Sequence, residues 1–322
     1  MQAVVLPGNG QVRVEELPEP VPGPGEALLE VLVAGICGTD LQLAGGYMSF
    51  RGTPGHEFVG VVRAVSSPAD RILVGSRVVA EINVGCNECD WCARGMGRHC
   101  AARTVLGILG RPGAFARKLT LPVSNLHVVP DAVSDDEAVF VEPLAAAFEI
   151  LEQVRVEPSH RVLVMGDGRL GLLVAQVLKS RGAQVTLMGR HPSKLQVAKT
   201  LSLPTSESGQ AARPVHDLVV DATGSPDALD EAIRWCRPRG TVILKTTCAG
   251  RTTFDAAPVV VNELILVGSR CGRFEPALEA LRARSVQVLP LVTGERALAD
   301  APEAFEAAAR PDALKILLRP AS

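Results

Sequence analysis

Four cysteines, Cys86, Cys89, Cys92 and Cys100, crowd into the run GCNECDWCARGMGRHC. Two overlapping C-x2-C pairs with a fourth cysteine shortly after can close a tetrahedral zinc shell of thiolates alone. Such a loop has to turn back on itself, and the ion replaces the hydrophobic core that so polar a stretch cannot build. With all four ligands from protein, no coordination position stays open to water or substrate. The cluster is expected to hold structure, and the chemistry must lie elsewhere. Disulfides are the competing use of four thiols. The opening residues MQAVVLPGNG carry neither the basic stretch nor the sustained apolar run of a secretory leader. A reducing, cytoplasmic setting is therefore expected, with the scattered Cys37, Cys236, Cys248 and Cys271 as free thiols.

The 322 residues suffice for two domains with full cores, and the formal net charge is −2. That charge offers no field to draw in nucleic acid. No stretch approaches the roughly 18 consecutive apolar residues that cross a bilayer. Neither a nucleic-acid partner nor a membrane is expected.

Up to about residue 140 the pattern is one of short strands, at 27–34, 58–65 and 77–82, punctuated by Gly and Pro. From Arg161 strands and helices alternate, with strands at 162–165, 185–188, 218–221, 242–245 and 265–268. Between the first two, a helix over 170–181 puts Leu170, Leu173, Val174, Val177 and Leu178 on one face. Alternation of this kind gives an α/β fold with a doubly wound parallel sheet covered on both sides. The tail adds a helix over 299–309 and a strand at 314–318. A β-rich lobe interrupted by a nucleotide domain is the simplest arrangement.

The first strand of the alternating region runs into Gly166-Asp167-Gly168-Arg169-Leu170-Gly171 and then a helix. This is the context in which glycines let backbone approach a dinucleotide pyrophosphate at a helix N-terminus. A carboxylate about 20 residues further on usually grips the ribose diol of NAD. Here no Asp or Glu occurs between Asp167 and Glu207, and the second strand ends in Gly189-Arg190-His191, with Lys194 a turn later. A small residue followed by Arg leaves room and charge for a 2′-phosphate, so NADP is favoured over NAD.

Three further segments suit an open metal site: Cys37 in GICGTD, His56 in GHE and Glu142 in VEPLA. Thiolate, imidazole and carboxylate plus one exchangeable position make the catalytic-zinc pattern. Glu142 lies in AVFVEPLAAAF, where a buried carboxylate costs several kcal/mol unless a cation offsets it.

In order along nearly the whole chain, GICGTD, GHE, the cysteine lobe, VEPLA, GDGRLG, DATGSP and GSRCG resemble the zinc-dependent medium-chain dehydrogenase/reductase family. The likeness is to its sorbitol, threonine and alcohol dehydrogenase side. It implies a GroES-like catalytic domain over 1–143 and 273–322, with a structural-zinc lobe at 85–101, and a Rossmann domain over 144–272. It implies two zinc ions per chain, one catalytic and one structural, and hydride transfer between an alcohol or polyol and NAD(P), with substrate held between the domains. Carried over residue by residue, Cys37 and His56 bind the catalytic zinc, with Glu142 as third ligand and Glu57 as an exchangeable one. Thr39 resembles the hydroxyl that accepts the substrate proton, and Asp40 the carboxylate that orients His56. Thr223, Lys245 and Thr246 follow sheet strands and should line the cofactor. Tyr47, Phe50, Arg270 and Phe274 are pocket candidates. The stretch 259–268 resembles the family's subunit-pairing region, which implies a homodimer or homotetramer. One departure is Gln42, at the place where some relatives carry a proton-relaying His.

Other classes fit less well. A short-chain dehydrogenase needs Tyr-x3-Lys, and the only tyrosine, Tyr47, is followed by Arg51 at that spacing. A zinc-free quinone or enoyl reductase should lack both metal motifs. A zinc-stabilised binding protein without enzymatic activity would want a basic patch around 86–100.

Overall fold

The computed structural model describes residues 1–209, 214–245 and 252–320. The chain forms two compact units: Met1–Glu142 with Ala277–Arg282 and Val292–Ser322, and Pro143–Pro276 with Ala283–Leu291.

The first unit is built on a seven-stranded sheet. Its order is Leu126–Val128, Arg77–Ala80, Glu57–Val65, Glu26–Gly35, Lys315–Arg319 and Val292–Ala297, with Lys118–Pro122 also paired to Glu26–Gly35. Glu26–Gly35 alternates buried and half-buried residues until Val33, then stays buried through Gly35, as expected where one sheet face gives way to a covered end. Its register sets up the site: Gly35 lies opposite Glu57 on one neighbour and opposite Leu317 on the other. The ends of three strands therefore bring Cys37, His56, Glu57 and Lys315 into one region. The strand expected over 77–82 stops at Ala80. Asn83–Val84 joins a small sheet with Thr104–Leu106 and Gly110–Arg111, which frames the cysteine run.

The second unit holds a six-stranded, wholly parallel sheet in the order Thr205–Glu207, Gln184–Gly189, Arg161–Met165, His216–Asp221, Cys236–Leu244 and Ile265–Gly268. The winding reverses between Arg161–Met165 and His216–Asp221, the switch point at which such sheets bind ligands. Val162 to Met165 are all buried, the signature of a central parallel strand. One side of the sheet packs Leu163, Met165, Val219 and Val242 against Leu229, Ile233 and Trp235. Helix Arg169–Ser180 is buried continuously from Gly171 to Leu178, more than the single face read from its periodicity. The reason is a second cover. The Gln176 amide donates to the Gln287 carbonyl at 3.0 Å and accepts the Gln287 N–H at 2.9 Å, which holds the segment Ala283–Leu291 over the helix. The tail forms helix Ala301–Ala308 and strand Lys315–Arg319. Among the described residues no helix is long and apolar enough to cross a membrane.

Candidate active site and metal centres

Strand Glu26–Gly35 ends two residues before Cys37, which caps helix Gly38–Ala44. Asp40, in that helix's first turn, is fully buried and ties the region together. Its Oδ2 accepts the Cys37 N–H at 2.7 Å, and its Oδ1 accepts the Gly55 N–H at 3.2 Å. The same Oδ1 stands 3.4 Å from His56 Nδ1. Thr39 Oγ1 lies 3.8 Å from Cys37 Sγ. Donor atoms of Cys37, His56 and Glu57 all fall within 4.8 Å of one another. His56 Nδ1 and Glu57 Oε1 are buried with no hydrogen-bond partner among the described residues. Burial works against a charged His56, but the charges of Asp40 and then Cys37 outweigh it and raise its pKa well above that of free imidazole. Thiol, imidazole and carboxylate, partly unsatisfied in a buried spot, fit a metal cation.

Glu57 carries a feature that no local pattern signals. Its Oε2 is ion-paired to Lys315 Nζ, and both side chains are fully buried. Lys315 Nζ also reaches the Ile36 carbonyl at 3.4 Å and lies 5.6 Å over the Phe140 ring. A single cation thus compensates a carboxylate that would otherwise be costly to bury. Glu142, the expected third ligand, opens helix Val141–Gln153, half-buried and outside that donor group.

The four lobe cysteines converge as their spacing suggested. Cys89 caps the short helix Asp90–Ala93, and Cys100 closes the turn Gly97–His99. All four sulfurs lie within 4.8 Å of one another. The Cys89–Cys92 and Cys86–Cys92 separations are 3.7 and 4.0 Å. A tetrahedral ion with Zn–S of about 2.3 Å sets its sulfurs about 3.8 Å apart, so the shell fits zinc. The backbone N–H groups of Glu88 and Cys89 lower the Cys86 thiol to about 6, while desolvation raises Cys92 to about 11. Four thiolates need a cation to coexist. No disulfide forms among the described residues.

In the second unit, Gly166 takes φ +111°, and a side chain on Gly171 would meet the Gly166 carbonyl at 1.9 Å. Gly168 caps helix Arg169–Ser180, with Arg169 and Leu170 half-buried in its first turn. Thr223 is exposed just beyond the central strand, its N–H and hydroxyl both donating to buried Asp221. Lys245 is buried, and its ammonium donates to the carbonyls of Ala146 (2.6 Å) and Arg270 (2.8 Å) and to Ser269 Oγ (3.1 Å). It ties strand end, helix and loop together with the three donors of its amine. Thr246 lies outside the described residues. Gly189 ends the second strand, Arg190 is exposed and Lys194 is buried on the following helix. Tyr47 and Phe50 are half-buried around a single turn after helix Gly38–Ala44. Arg270 is exposed and Phe274 buried.

Asp167 is a further residue of this region that its sequence context did not single out. Its carboxylate reaches back to the end of the second strand, where Oδ2 accepts the N–H groups of Arg190 (2.8 Å) and His191 (2.7 Å). Its acidity in the glycine loop was the available signal.

Family models match this chain twice, as an alcohol dehydrogenase GroES-like domain over residues 23–131 and a zinc-binding dehydrogenase domain over 170–285. D-altritol 5-dehydrogenase of Agrobacterium fabrum strain C58 is 32% identical, over 84% of each chain. An alcohol dehydrogenase of Escherichia coli CFT073 complexed with NADH superposes with a TM-score of 0.92 at 26% identity, covering 99% of both chains. A zinc-binding dehydrogenase from Sinorhizobium meliloti 1021 bound to NADP gives 0.90, also at 26% identity and 99% coverage of both.

Proposed function

Because this chain belongs to the zinc-dependent medium-chain dehydrogenase/reductase family, we propose that it interconverts an alcohol or polyol with its ketone or aldehyde using NAD(P). The observation that carries the reading is the close donor group of Cys37, His56 and Glu57, buried at His56 and Glu57, with Glu57 Oε1 left without a partner among the described residues. In this reading the first unit is the catalytic domain and the second the dinucleotide domain. Two zinc ions bind per chain, one at Cys37 and His56, the other in the four-cysteine lobe. When bound, the catalytic zinc polarises the substrate oxygen, and the nicotinamide gives or takes the hydride.

The chain's own residues do the rest. Asp40 sits against His56 Nδ1 and so leaves Nε2 as the ligand atom. Thr39 takes the proton of the substrate hydroxyl, and Gln42 can neither accept nor donate it as an acid or base, so it leaves through water or the cofactor ribose. A carboxylate completes the ligand set. The third ligand in this reading is Glu142, with Glu57, one oxygen of which is paired to Lys315, as an exchangeable one. NADP is favoured over NAD because Arg190 stands exposed at the end of the second strand, where no carboxylate follows. Tyr47, Phe50, Arg270 and Phe274 contribute to the substrate pocket, and the enzyme is cytoplasmic.

The test is a screen of alcohols, polyols and aldehydes with NAD(H) and NADP(H), run on wild type, Glu57→Gln and Glu142→Gln with metal content measured in parallel. Turnover of at least one polyol or secondary alcohol is expected, with the larger metal loss in Glu142→Gln. No turnover of any alcohol or carbonyl would sink the reading.

A homodimer or homotetramer assembles in this reading through the Ile265–Gly268 edge of the parallel sheet. Ile265 on that edge strand is 57% exposed, and Val260 and Val261 before it are 76% and 78% exposed. An open apolar edge is a template for pairing with a second copy. Val261→Lys is expected to shift the sedimentation coefficient toward the monomer, and an unchanged value would exclude this edge.

A further inference from the structure

The missing ribose carboxylate has a structural cause. A methyl group on Gly189 would stand 2.5 Å from both Cβ and Oδ2 of Asp167. Any acidic residue at that strand end would collide with the Asp167 side chain, which already fills the space. The question is what Asp167 does there.

It does not serve as a substitute grip on a ribose diol. Its side chain is only 7% exposed, and its oxygens are engaged inward. Oδ2 accepts two backbone N–H groups, at 2.8 Å from Arg190 and 2.7 Å from His191. Oδ1 lies 2.9 Å from His191 Nδ1. Its pKa is lowered: burial opposes ionisation, but the hydrogen bonds from the His191 backbone and ring outweigh it. The carboxylate is thus an internal clamp on the two residues that follow the second strand. The imidazole meets it through Nδ1, which leaves Nε2 for another partner. Arg190 is held by its backbone alone, and its exposed guanidinium makes no hydrogen bond or ion pair among the described residues.

We propose that Asp167 is the positioning residue of a 2′-phosphate cradle, fixing Arg190 and His191 so that guanidinium and imidazole both face the phosphate of NADP. The proposal rests on the cofactor reading above and deepens it. Selectivity then comes from a residue of the glycine loop acting on the strand end, and the glycine at 189 is required by the clamp. A merely structural Asp167 would support both cofactors alike. A clamp for the phosphate site affects only the one that carries it.

The experiment titrates the full chain with NADPH and with NADH and follows cofactor fluorescence, in wild type, Asp167→Asn and His191→Ala. Asn keeps the shape but loses the charge and one acceptor. Asp167→Asn is expected to weaken NADPH by about tenfold, the scale of a lost charge-assisted contact, with NADH changed by less than about twofold. His191→Ala should lower the NADPH-to-NADH preference by at least about threefold and guards against misfolding of the first variant. An unchanged preference in both variants, or tighter NADPH binding in Asp167→Asn, overturns the clamp. A wild type that binds NADH more tightly than NADPH instead overturns the cofactor reading, whatever the variants do.

Discussion

Cys37→Ser is expected to reduce alcohol oxidation by about a thousandfold or more, while dinucleotide affinity stays within about twofold. A serine hydroxyl is not ionised near neutral pH and is a poor ligand beside an imidazole. The loss should therefore be that of the metal's polarising effect, worth several kcal/mol, at about 1.4 kcal/mol per tenfold. The fold should tolerate the change. The Asp40 carboxylate accepts the backbone N–H of residue 37, a bond that Ser keeps, so helix Gly38–Ala44 starts in the same place. The glycine loop belongs to the other unit and shares no strand with Cys37. Steady-state kinetics and a cofactor titration on one preparation separate the two effects. Full activity in Cys37→Ser would remove the basis for a catalytic metal at this site.

Cys92→Ser acts on stability. Cys92 lies 3.7 Å from Cys89 Sγ and 4.0 Å from Cys86 Sγ, so its loss opens the shell from the middle. The lobe has little else to hold it. Trp91 is 42% exposed, and its partners are the exposed His99 and Arg94. Without the ion the loop should open locally before the molecule unfolds. The expected result is at least tenfold faster tryptic cleavage after Arg94, and a thermal midpoint lower by roughly 5 °C. At low temperature turnover should stay within about threefold, because this cluster leaves no position for substrate. Loss of turnover without faster cleavage would assign the lobe a direct part in the reaction.

What could be read from sequence was local. The cysteine spacing, the strand–glycine–helix passage at Gly166 and the apolar runs of the parallel strands each depend on neighbours within one or two turns. The structure bears out the α/β architecture they imply. What stayed hidden depends on contacts between distant residues. Lys315 reaches Glu57 because their strands flank the same end of Glu26–Gly35, across 258 residues of chain. The continuous burial of helix Arg169–Ser180 depends on Gln287, 111 residues away from Gln176. Asp167 escaped notice for a different reason. A ribose-gripping carboxylate is expected about 20 residues beyond the glycine loop, whereas the acid at this strand end comes from within that loop. Lys245 follows a sheet strand and is expected to line the cofactor, and its ammonium separately donates to Ala146, Ser269 and Arg270. Strand position alone carries no information about where a long side chain finds its acceptors.

The measurement that bears most directly on the account is zinc content per chain, by atomic emission, in wild type and Cys37→Ser. Two zinc ions are expected in wild type and one in the variant, with the lobe's ion retained. Two ions in Cys37→Ser, or no more than one in wild type, would contradict it.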